Sequence, residues 1–249
     1  MGVAWRAGDI VLKPSPSSEE ARYVAETHFG LRDTSECRFQ RPVAPPHALG
    51  DWEIDGWAAW RWIEGEPAPE RAREIVLAAR AYHNLLSPLP VDPIFSSRND
   101  PWARADRVAW GEVSADYPAD YLALLAPLLA DPPPLLRRQV VHADLTGNVV
   151  FASGLAPGII DPTLYWRPVE FAEAIVLVDQ SWFTSALDIA PFADTPAIAP
   201  MLRLAAARRI AEQPEQVAAN GKCAADAFAV ARQIASWAEA ALNCLGSAN

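Results

Sequence analysis

Residues 142–148 read His-Ala-Asp-Leu-Thr-Gly-Asn, and a second segment, Gly158-Ile159-Ile160, ends on Asp161, thirteen residues after Asn148. Apolar runs at 139–141, 149–151 and 158–160 predict short strands on both sides of the polar loop. The loop and Asp161 are therefore expected to lie beside one hairpin.

The polar side chains of these two segments match what phosphoryl transfer requires. The reaction needs a carboxylate that orients or deprotonates the attacking hydroxyl, and oxygen ligands that hold magnesium against the nucleotide phosphates. Asp144 suits the first role, and Asn148 and Asp161 suit the second. Each residue alone is an ordinary turn or strand-end residue. Their order and their strand–loop–strand context favour a catalytic site.

Residues 1–65 have the pattern of a small sheet with one helix. Lys13 ends the second strand of an expected hairpin. Ser17 or Ser18 is expected to cap a helix that begins at Glu19 and ends at residue 28 or 29, because acidic residues suit a first helical turn. The strands are expected at 3–6, 10–13, 52–54 and 57–63, with turns at 7–9 and 55–56 and a proline-rich loop at 42–46.

Residues 66–249 are mainly helical in pattern, because their apolar residues recur at helical spacing. The chain is therefore expected to have an α+β fold, with a small antiparallel sheet in the part before residue 65 and a larger helical part after it. The helices are expected at 71–86, 102–110, 118–129, 168–186, 198–213 and 222–245.

The composition excludes several classes of protein. Thirty-one acidic and 21 basic residues give a formal net charge of −10, so nucleic acid is not expected as a partner. The three cysteines lie far apart without metal-site spacing and are expected to be reduced. The N-terminal residues lack a signal-peptide pattern, and the apolar stretch 174–187 is interrupted by Asp179 and too short to cross a bilayer. A cytoplasmic protein without a membrane partner is expected.

The loop at 142–148 resembles the catalytic loop H-x-D-x-x-x-x-N of the aminoglycoside phosphotransferase and choline kinase group, distant relatives of the protein kinases. The resemblance covers nearly the whole chain. It implies a protein-kinase-like fold of two lobes, with a nucleotide-binding N-lobe at 1–65 and a helical C-lobe at 66–249 that holds the catalytic loop and the substrate cleft. The segment 161–168 looks like an actinobacterial-type branch of poorly characterised members. Further segments that carry the resemblance are Val11-Leu12-Lys13, Arg61-Trp62-Ile63-Glu64-Gly65 and Ala81-Tyr82-His83-Asn84-Leu85.

The resemblance also implies how a nucleotide would bind. ATP, the co-substrate, would bind together with Mg²⁺. Lys13 would contact the inner phosphates and pair with a helix glutamate, for which Glu20 is the first choice and Glu26 the second. Backbone groups around Arg61 to Ile63 would bind the edge of the adenine.

Roles in the chemical step follow from the same resemblance. Asp144 would be the catalytic carboxylate, and Asn148 and Asp161 would be the magnesium ligands. His142 would brace the loop without itself taking a proton. The side chains proposed to line the substrate cleft are Glu170 and Glu173.

Two features of the chain depart from the pattern of this group. Asp144 and Asn148 are four residues apart instead of five, and Ala143 stands where glycine is usual. Twelve residues precede Lys13, so the N-lobe is expected to lack the first strand and the glycine-rich loop that covers the phosphates in this group. Three explanations are open: the start at Met1 is too far downstream, the chain binds nucleotide weakly, or it no longer catalyses.

Two functions are compatible with the sequence. The first is a small-molecule kinase that uses magnesium and ATP to phosphorylate a hydroxyl of a sugar, an aminoglycoside or an amino alcohol. The alternative is a catalytically degenerate binding or regulatory module that keeps the kinase-like fold. The intact Lys13, Asp144, Asn148 and Asp161 favour the first, and the missing glycine-rich loop favours the second.

Overall fold

The computed structural model describes residues 4–15, 17–44 and 51–247. Residue 3 of the expected hairpin and residues 45–46 of the expected proline-rich loop lie outside these ranges. The elements up to residue 67 are β1 (Trp5–Ala7), β2 (Ile10–Pro14), α1 (Ser18–Gly30), β3 (Arg38–Phe39), β4 (Glu53–Ile54), β5 (Trp57–Arg61) and β6 (Glu66–Pro67).

Four of these strands form an antiparallel sheet in the order β1-β2-β5-β4. The β4–β5 hairpin turns at Asp55 and Gly56, whose φ angles of +50° and +81° match the two-residue turn with positive φ that the Asp-Gly pair predicts. Val11 and Trp60 are directly opposite each other and buried. Lys13 shares their face, because alternate residues of a strand point to the same side.

Helix α1 packs against the inner face of this sheet. The Ser17 hydroxyl accepts a hydrogen bond from the Glu20 amide at 3.2 Å, which confirms the predicted N-cap. The buried residues of the helix are the predicted Ala21, Val24, Ala25 and His28. The His28 ring is held by the Val24 carbonyl at 2.8 Å and by the Tyr82 hydroxyl at 2.6 Å.

The remaining elements are α2 (Ala72–Leu86), α3 (Ile94–Ser97), α4 (Pro101–Ala109), α5 (Ala119–Leu125), β7 (Gln139–His142), β8 (Val149–Phe151), β9 (Gly158–Ile159), β10 (Leu164–Arg167), α6 (Val169–Asp179), α7 (Ile198–Asn220) and α8 (Ala224–Ser247). Two short 3₁₀ helices cover 180–182 and 190–192. The α+β architecture that the sequence predicts is confirmed.

Three predicted helix ends are wrong. Helix α5 ends at Leu125 instead of 129, because Pro127 lacks the amide hydrogen that a continuing helix needs. Helix α6 ends at Asp179 and passes into a 3₁₀ turn instead of reaching 186. Helix α7 continues through Pro214 to Asn220 instead of ending at 213, because its packing outweighs one lost backbone hydrogen bond.

Two smaller sheets fix the position of the polar loop at residues 142–148, because the strands on both sides of the loop belong to them. Strands β7 and β10 pair antiparallel, so that His142 is opposite Leu164. The other sheet has the order β3-β9-β8-β6 and joins strands from both sides of residue 65. Gly65 has a φ of +134°, and a Cβ there would lie 3.0 Å from the Phe151 backbone, so this close crossing requires glycine. The lobe boundary near residue 65 stays a prediction.

The main core lies beneath the polar loop, between the C-terminal helices. Tyr82 of α2, Ile175 of α6 and Met201 of α7 are fully buried in it. Within the described ranges, none of the helices has both the length and the apolar character needed to span a bilayer.

Candidate active site

The structure brings Lys13, Asp144, Asn148 and Asp161 together beside the first sheet. The carboxylates of Asp144 and Asp161 are partly exposed, and the solvent-filled space that they face is called the cleft. The Lys13 Nζ atom lies 3.1 Å from Asp161 Oδ1. The Asn148 side-chain amide lies 3.3 Å from Asp144 Oδ2. The Asn148 carbonyl accepts a hydrogen bond at 2.9 Å from the Ile160 amide, which directly precedes Asp161. The cluster therefore joins the β2 strand to the β7–β8 loop and to the residue after β9.

The shortened β7–β8 loop still brings Asp144 and Asn148 into contact. The amide of Asn148 bonds the Leu145 carbonyl at 2.9 Å, which closes a tight turn. Gly147 has a φ of +84°, the left-handed conformation that such a turn uses. The Asn148 Nδ2 atom donates to the Asp144 carbonyl at 2.7 Å. A spacing of four residues is thus compatible with the contact that the site needs.

Asp161 has a left-handed backbone, with a φ of +48°. This region is sparsely populated by residues other than glycine and is frequent at functional sites. The side chain of Asp161 is 62% exposed, so its carboxylate faces the cleft.

His142 connects the loop to the segment around Asp161. Its Nδ1 accepts hydrogen bonds from the amides of Asp144 and Thr163, both at 3.3 Å, and its Nε2 donates to the Ile160 carbonyl at 3.3 Å. Burial lowers the pKa of His142, although the nearby Asp144 charge opposes the shift. The ring is therefore neutral at pH 7 and acts as the predicted brace.

His83, in α2, supports the loop from below. Its Nε2 accepts the His142 backbone amide at 3.0 Å. Burial lowers the pKa of His83 to about 3, so this ring is also neutral and structural.

The predicted pairing of Lys13 with Glu20 is wrong. The Glu20 carboxylate pairs with Arg98 at 3.1 Å, because Arg98 is almost completely buried and needs anionic partners. Glu26, the second choice, is on the exposed side of α1. The partners of Lys13 are Asp161 and the Gln40 Oε1 atom at 2.9 Å.

Burial lowers the pKa of Lys13, and the charge of Asp161 opposes this shift. The Lys13 side chain is 16% exposed, so water solvates its ammonium only weakly and the ammonium depends on its pairing with the Asp161 carboxylate. An anionic ligand entering the cleft would compete with Asp161 for this cation.

In the segment Arg61 to Ile63, Arg61 is the last residue of β5 and Trp62 and Ile63 follow the strand. The Arg61 amide is already bonded to the Arg41 carbonyl, and the Trp62 amide to the Asp9 carbonyl, both at 2.7 Å. The backbone N–H and carbonyl of Ile63 make no hydrogen bond to another described residue. Ile63 therefore has free backbone groups, and the amide of Arg61 does not.

Sequence reasoning missed the basic residues that hold the loop from α7. Arg209 lies 2.7 Å from Asp144 Oδ1, is bidentate to Asp179 at 2.8 Å and contacts Glu212 at 3.1 Å. Arg208 donates to the Ala143 carbonyl at 2.8 Å. A signal was available, since two adjacent arginines interrupt an otherwise apolar helix segment.

This network changes the acidity of two carboxyl groups. Burial would raise the pKa of Asp144, but the charge and hydrogen bond of Arg209 outweigh it, so the pKa lies below its ordinary value. For Asp179, burial outweighs Arg209 and raises the pKa to about 6. Asp144 is 38% exposed whereas Asp179 is 1% exposed. Asp144 is thus an ionised carboxylate that faces the cleft.

Glu173 does not line the cleft as predicted. It is buried and bonds Arg80 in bidentate fashion, with both N–O distances 2.8 Å, and it also accepts the Thr195 hydroxyl. A buried carboxylate must be paired to be tolerated. Glu173 therefore joins α2 to α6 in the interior, and the cleft role of Glu170 stays a prediction.

The donor set fits magnesium bound together with a nucleotide. No group of three or more His, Cys, Asp or Glu side chains suited to a metal ion occurs within the described ranges. Magnesium, however, usually takes one or two protein carboxylates and completes its shell with phosphates and water. Asp161 offers an exposed carboxylate, and the Asn148 Oδ1 atom makes no hydrogen bond to another described residue.

Comparison with known proteins agrees with this geometry. The sequence profile of the phosphotransferase enzyme family matches residues 3–165. A search of curated protein sequences found no match. The chain is similar to the solved structure of an aminoglycoside phosphotransferase from Alicyclobacillus acidocaldarius, with 15% identity over 98% of this chain and 91% of that chain and a TM-score of 0.55. It is also similar to aminoglycoside phosphotransferase APH(4)-Ia, with 14% identity over 95% of this chain and 89% of that chain and a TM-score of 0.56.

The two structural matches support a conclusion about the fold, and the sequence profile supports a conclusion about the family. At these identities the structures show the fold, so the protein-kinase-like fold is confirmed. The profile covers more than half of the chain and includes Lys13, Asp144, Asn148 and Asp161. The chain therefore belongs to the phosphotransferase enzyme family.

Proposed function

We propose that the protein transfers the γ-phosphoryl group of magnesium-bound ATP to a hydroxyl group of a small molecule, such as a sugar, an aminoglycoside or an amino alcohol. The observation that carries this proposal is the meeting of Lys13, Asp144, Asn148 and Asp161 in one cleft. Membership of a phosphotransferase family supports it. A cytoplasmic location and a division into lobes at 1–65 and 66–249 belong to the same proposal.

Asp144 is the residue proposed to act on the acceptor. Its Oδ1 atom is held by Arg209 at 2.7 Å. Its Oδ2 atom accepts the Asn148 side-chain amide at 3.3 Å and has a second lone pair that would accept a hydrogen bond from the acceptor hydroxyl. The hydroxyl oxygen forms a bond to the γ-phosphorus while the bond from that phosphorus to the β,γ-bridging oxygen breaks. The proton of the hydroxyl passes to Asp144 late in this process, because a carboxylate with a low pKa is a weak base.

The other residues of the cleft bind the nucleotide. Asp161 and Asn148 would hold the magnesium ion through side-chain oxygens, and Lys13 would bind the phosphates. The ion supplies neutralisation of the charge that develops on the phosphate oxygens. The free backbone groups of Ile63 would bind the adenine edge, next to Trp62, on whose ring Arg6 stacks at 3.8 Å.

The test is a nucleotide-dependent phosphorylation assay on a panel of sugars, aminoglycosides and amino alcohols. Asp144→Asn preserves the shape of the side chain but removes its charge, and should lower turnover at least about 100-fold. Asp131→Asn is the matched control, because the Asp131 side chain is 74% exposed and its ion-pair partner is Arg203, which is not one of the proposed site residues. Turnover that survives Asp144→Asn would overturn the assignment of Asp144. Tight nucleotide binding without transfer to any compound would favour the binding-module alternative.

A further inference from the structure

Gln40 is a buried polar residue at the back of the cleft. It follows β3, and its backbone amide donates to the Ile159 carbonyl at 2.9 Å. Since β3 runs parallel to β9, Gln40 lies beside the residues that lead into Asp161. Its side chain belongs to a residue that is only 3% exposed. A buried amide of this kind must be hydrogen-bonded to be tolerated.

The amide oxygen of Gln40 is bonded to Lys13, at 2.9 Å from Nζ. The same oxygen lies 3.5 Å from the Asp161 backbone amide. Gln40 therefore touches both the lysine and the backbone of the acidic residue that pairs with it. The amide is neutral, so it directs the ammonium without neutralising it.

Helix α1 does not contribute a partner to Lys13, because Glu20 is bound by Arg98. Asp161 is thus the one carboxylate within 4 Å of the Lys13 ammonium in the described part of the chain. Under the proposed function, Asp161 also binds magnesium, so its bond to Lys13 weakens when metal and nucleotide enter. Gln40 is then the protein group that still holds Lys13 in position.

We propose that Gln40 is a positioning residue of the phosphate subsite: it holds the Lys13 ammonium toward the nucleotide phosphates by a neutral hydrogen bond. This inference rests on the proposed function. It assigns to the residue after β3 a role that the family resemblance implied for a glutamate of α1. Among the side chains proposed to bind the nucleotide, Gln40 contacts only Lys13. Loss of this contact should therefore weaken binding of the phosphates and leave binding of the adenosine unchanged.

Calorimetric titration with Mg-ATP and, separately, with adenosine tests this role. Gln40→Met has a similar volume but no strong acceptor. Gln40→Asn retains an amide and is one methylene shorter, so its oxygen cannot reach Lys13. Both should weaken Mg-ATP binding about tenfold, the effect of one hydrogen bond to a charged group, and leave adenosine binding unchanged. Gln40→Glu keeps an acceptor at the same reach but adds a negative charge beside Lys13 and Asp161, so it should weaken Mg-ATP binding at least as much as Gln40→Met and leave adenosine binding unchanged.

Lys13→Met serves as the reference for complete loss of the contact. Unchanged Mg-ATP affinity in Gln40→Met and Gln40→Asn would overturn the inference. Equal weakening of Mg-ATP and adenosine binding would also overturn it, since that pattern indicates a general loss of structure. If Gln40→Met does not fold, Gln40→Asn and Gln40→Glu decide the question by the same comparison. A wild-type chain that binds neither ligand would refute the proposed function itself, and this inference with it.

Discussion

Replacing Arg209 with methionine tests whether α7 anchors the loop at residues 142–148. The guanidinium is 4% exposed and bonds Asp144, Asp179 and Glu212. Glu212 keeps a contact of 3.1 Å to Arg208, so the main loss falls on Asp179, which is 1% exposed. Removing one partner of a buried ion pair destabilises a protein by about 3–5 kcal/mol. We expect a decrease of this size in the free energy of unfolding of Arg209→Met at pH 7.

The decrease should depend on pH. In the wild type, burial raises the pKa of Asp179 to about 6. The stability that a raised carboxyl pKa contributes is complete below the unfolded pKa of about 4, falls as the pH rises, and stops changing above about pH 6. Without Arg209 the carboxyl stays protonated above pH 6, and stability continues to fall by about 1.4 kcal/mol per pH unit. The difference between wild type and Arg209→Met should therefore grow by roughly 2–3 kcal/mol between pH 6 and pH 8.

Urea denaturation followed by tryptophan fluorescence, at pH 6 and at pH 8, measures both effects. Arg203→Met is the matched control on the same helix. Arg203 is 39% exposed and pairs with Asp131, which is 74% exposed, so its loss should lower the free energy of unfolding by less than about 1 kcal/mol. A decrease for Arg209→Met no larger than that of the control would refute the reasoning. So would a difference that stays constant between the two pH values.

Two predictions concern the nucleotide site. Asp161→Ala should weaken the magnesium-dependent part of ATP binding, because it removes the charged oxygen ligand and leaves only Asn148, and calorimetry with and without magnesium should show a smaller difference in affinity than in the wild type. An unchanged magnesium dependence would contradict the metal role of Asp161. Glu20→Gln should leave Mg-ATP affinity within about twofold, because Glu20 pairs with Arg98 instead of Lys13. A tenfold loss in that variant would show that Glu20 acts on the phosphate subsite after all.

The local elements were largely predictable from neighbouring residues. The cap at Ser17, the turn at Asp55 and Gly56 and the short strands around the 142–148 loop depend on interactions within a few residues, and all of them are confirmed. Helix ends were less predictable. Helix α7 continues through Pro214 because it is packed against α4, α6 and α8. Helix propensities describe the local sequence and do not include this packing energy.

The partners of the charged residues could not be predicted from sequence order. The family resemblance implied that Glu20 pairs with Lys13, yet Arg98, 78 residues further along the chain, binds Glu20. Arg98 is nearly buried, and a buried guanidinium without a carboxylate is unstable. Glu173 is likewise bound by Arg80 in the interior.

The order and type of the residues predicted the α+β fold, which is confirmed, and singled out Asp144, Asn148 and Asp161, whose roles in catalysis and metal binding stay predictions. This was possible because a reaction needs particular types of side chain, and these are visible in the sequence. Tertiary structure alone decided that Gln40 holds Lys13 and that Arg209 holds Asp144. Each of these contacts joins elements far apart in sequence. Its partners are chosen by burial, since a charge removed from water binds the nearest group that can compensate it.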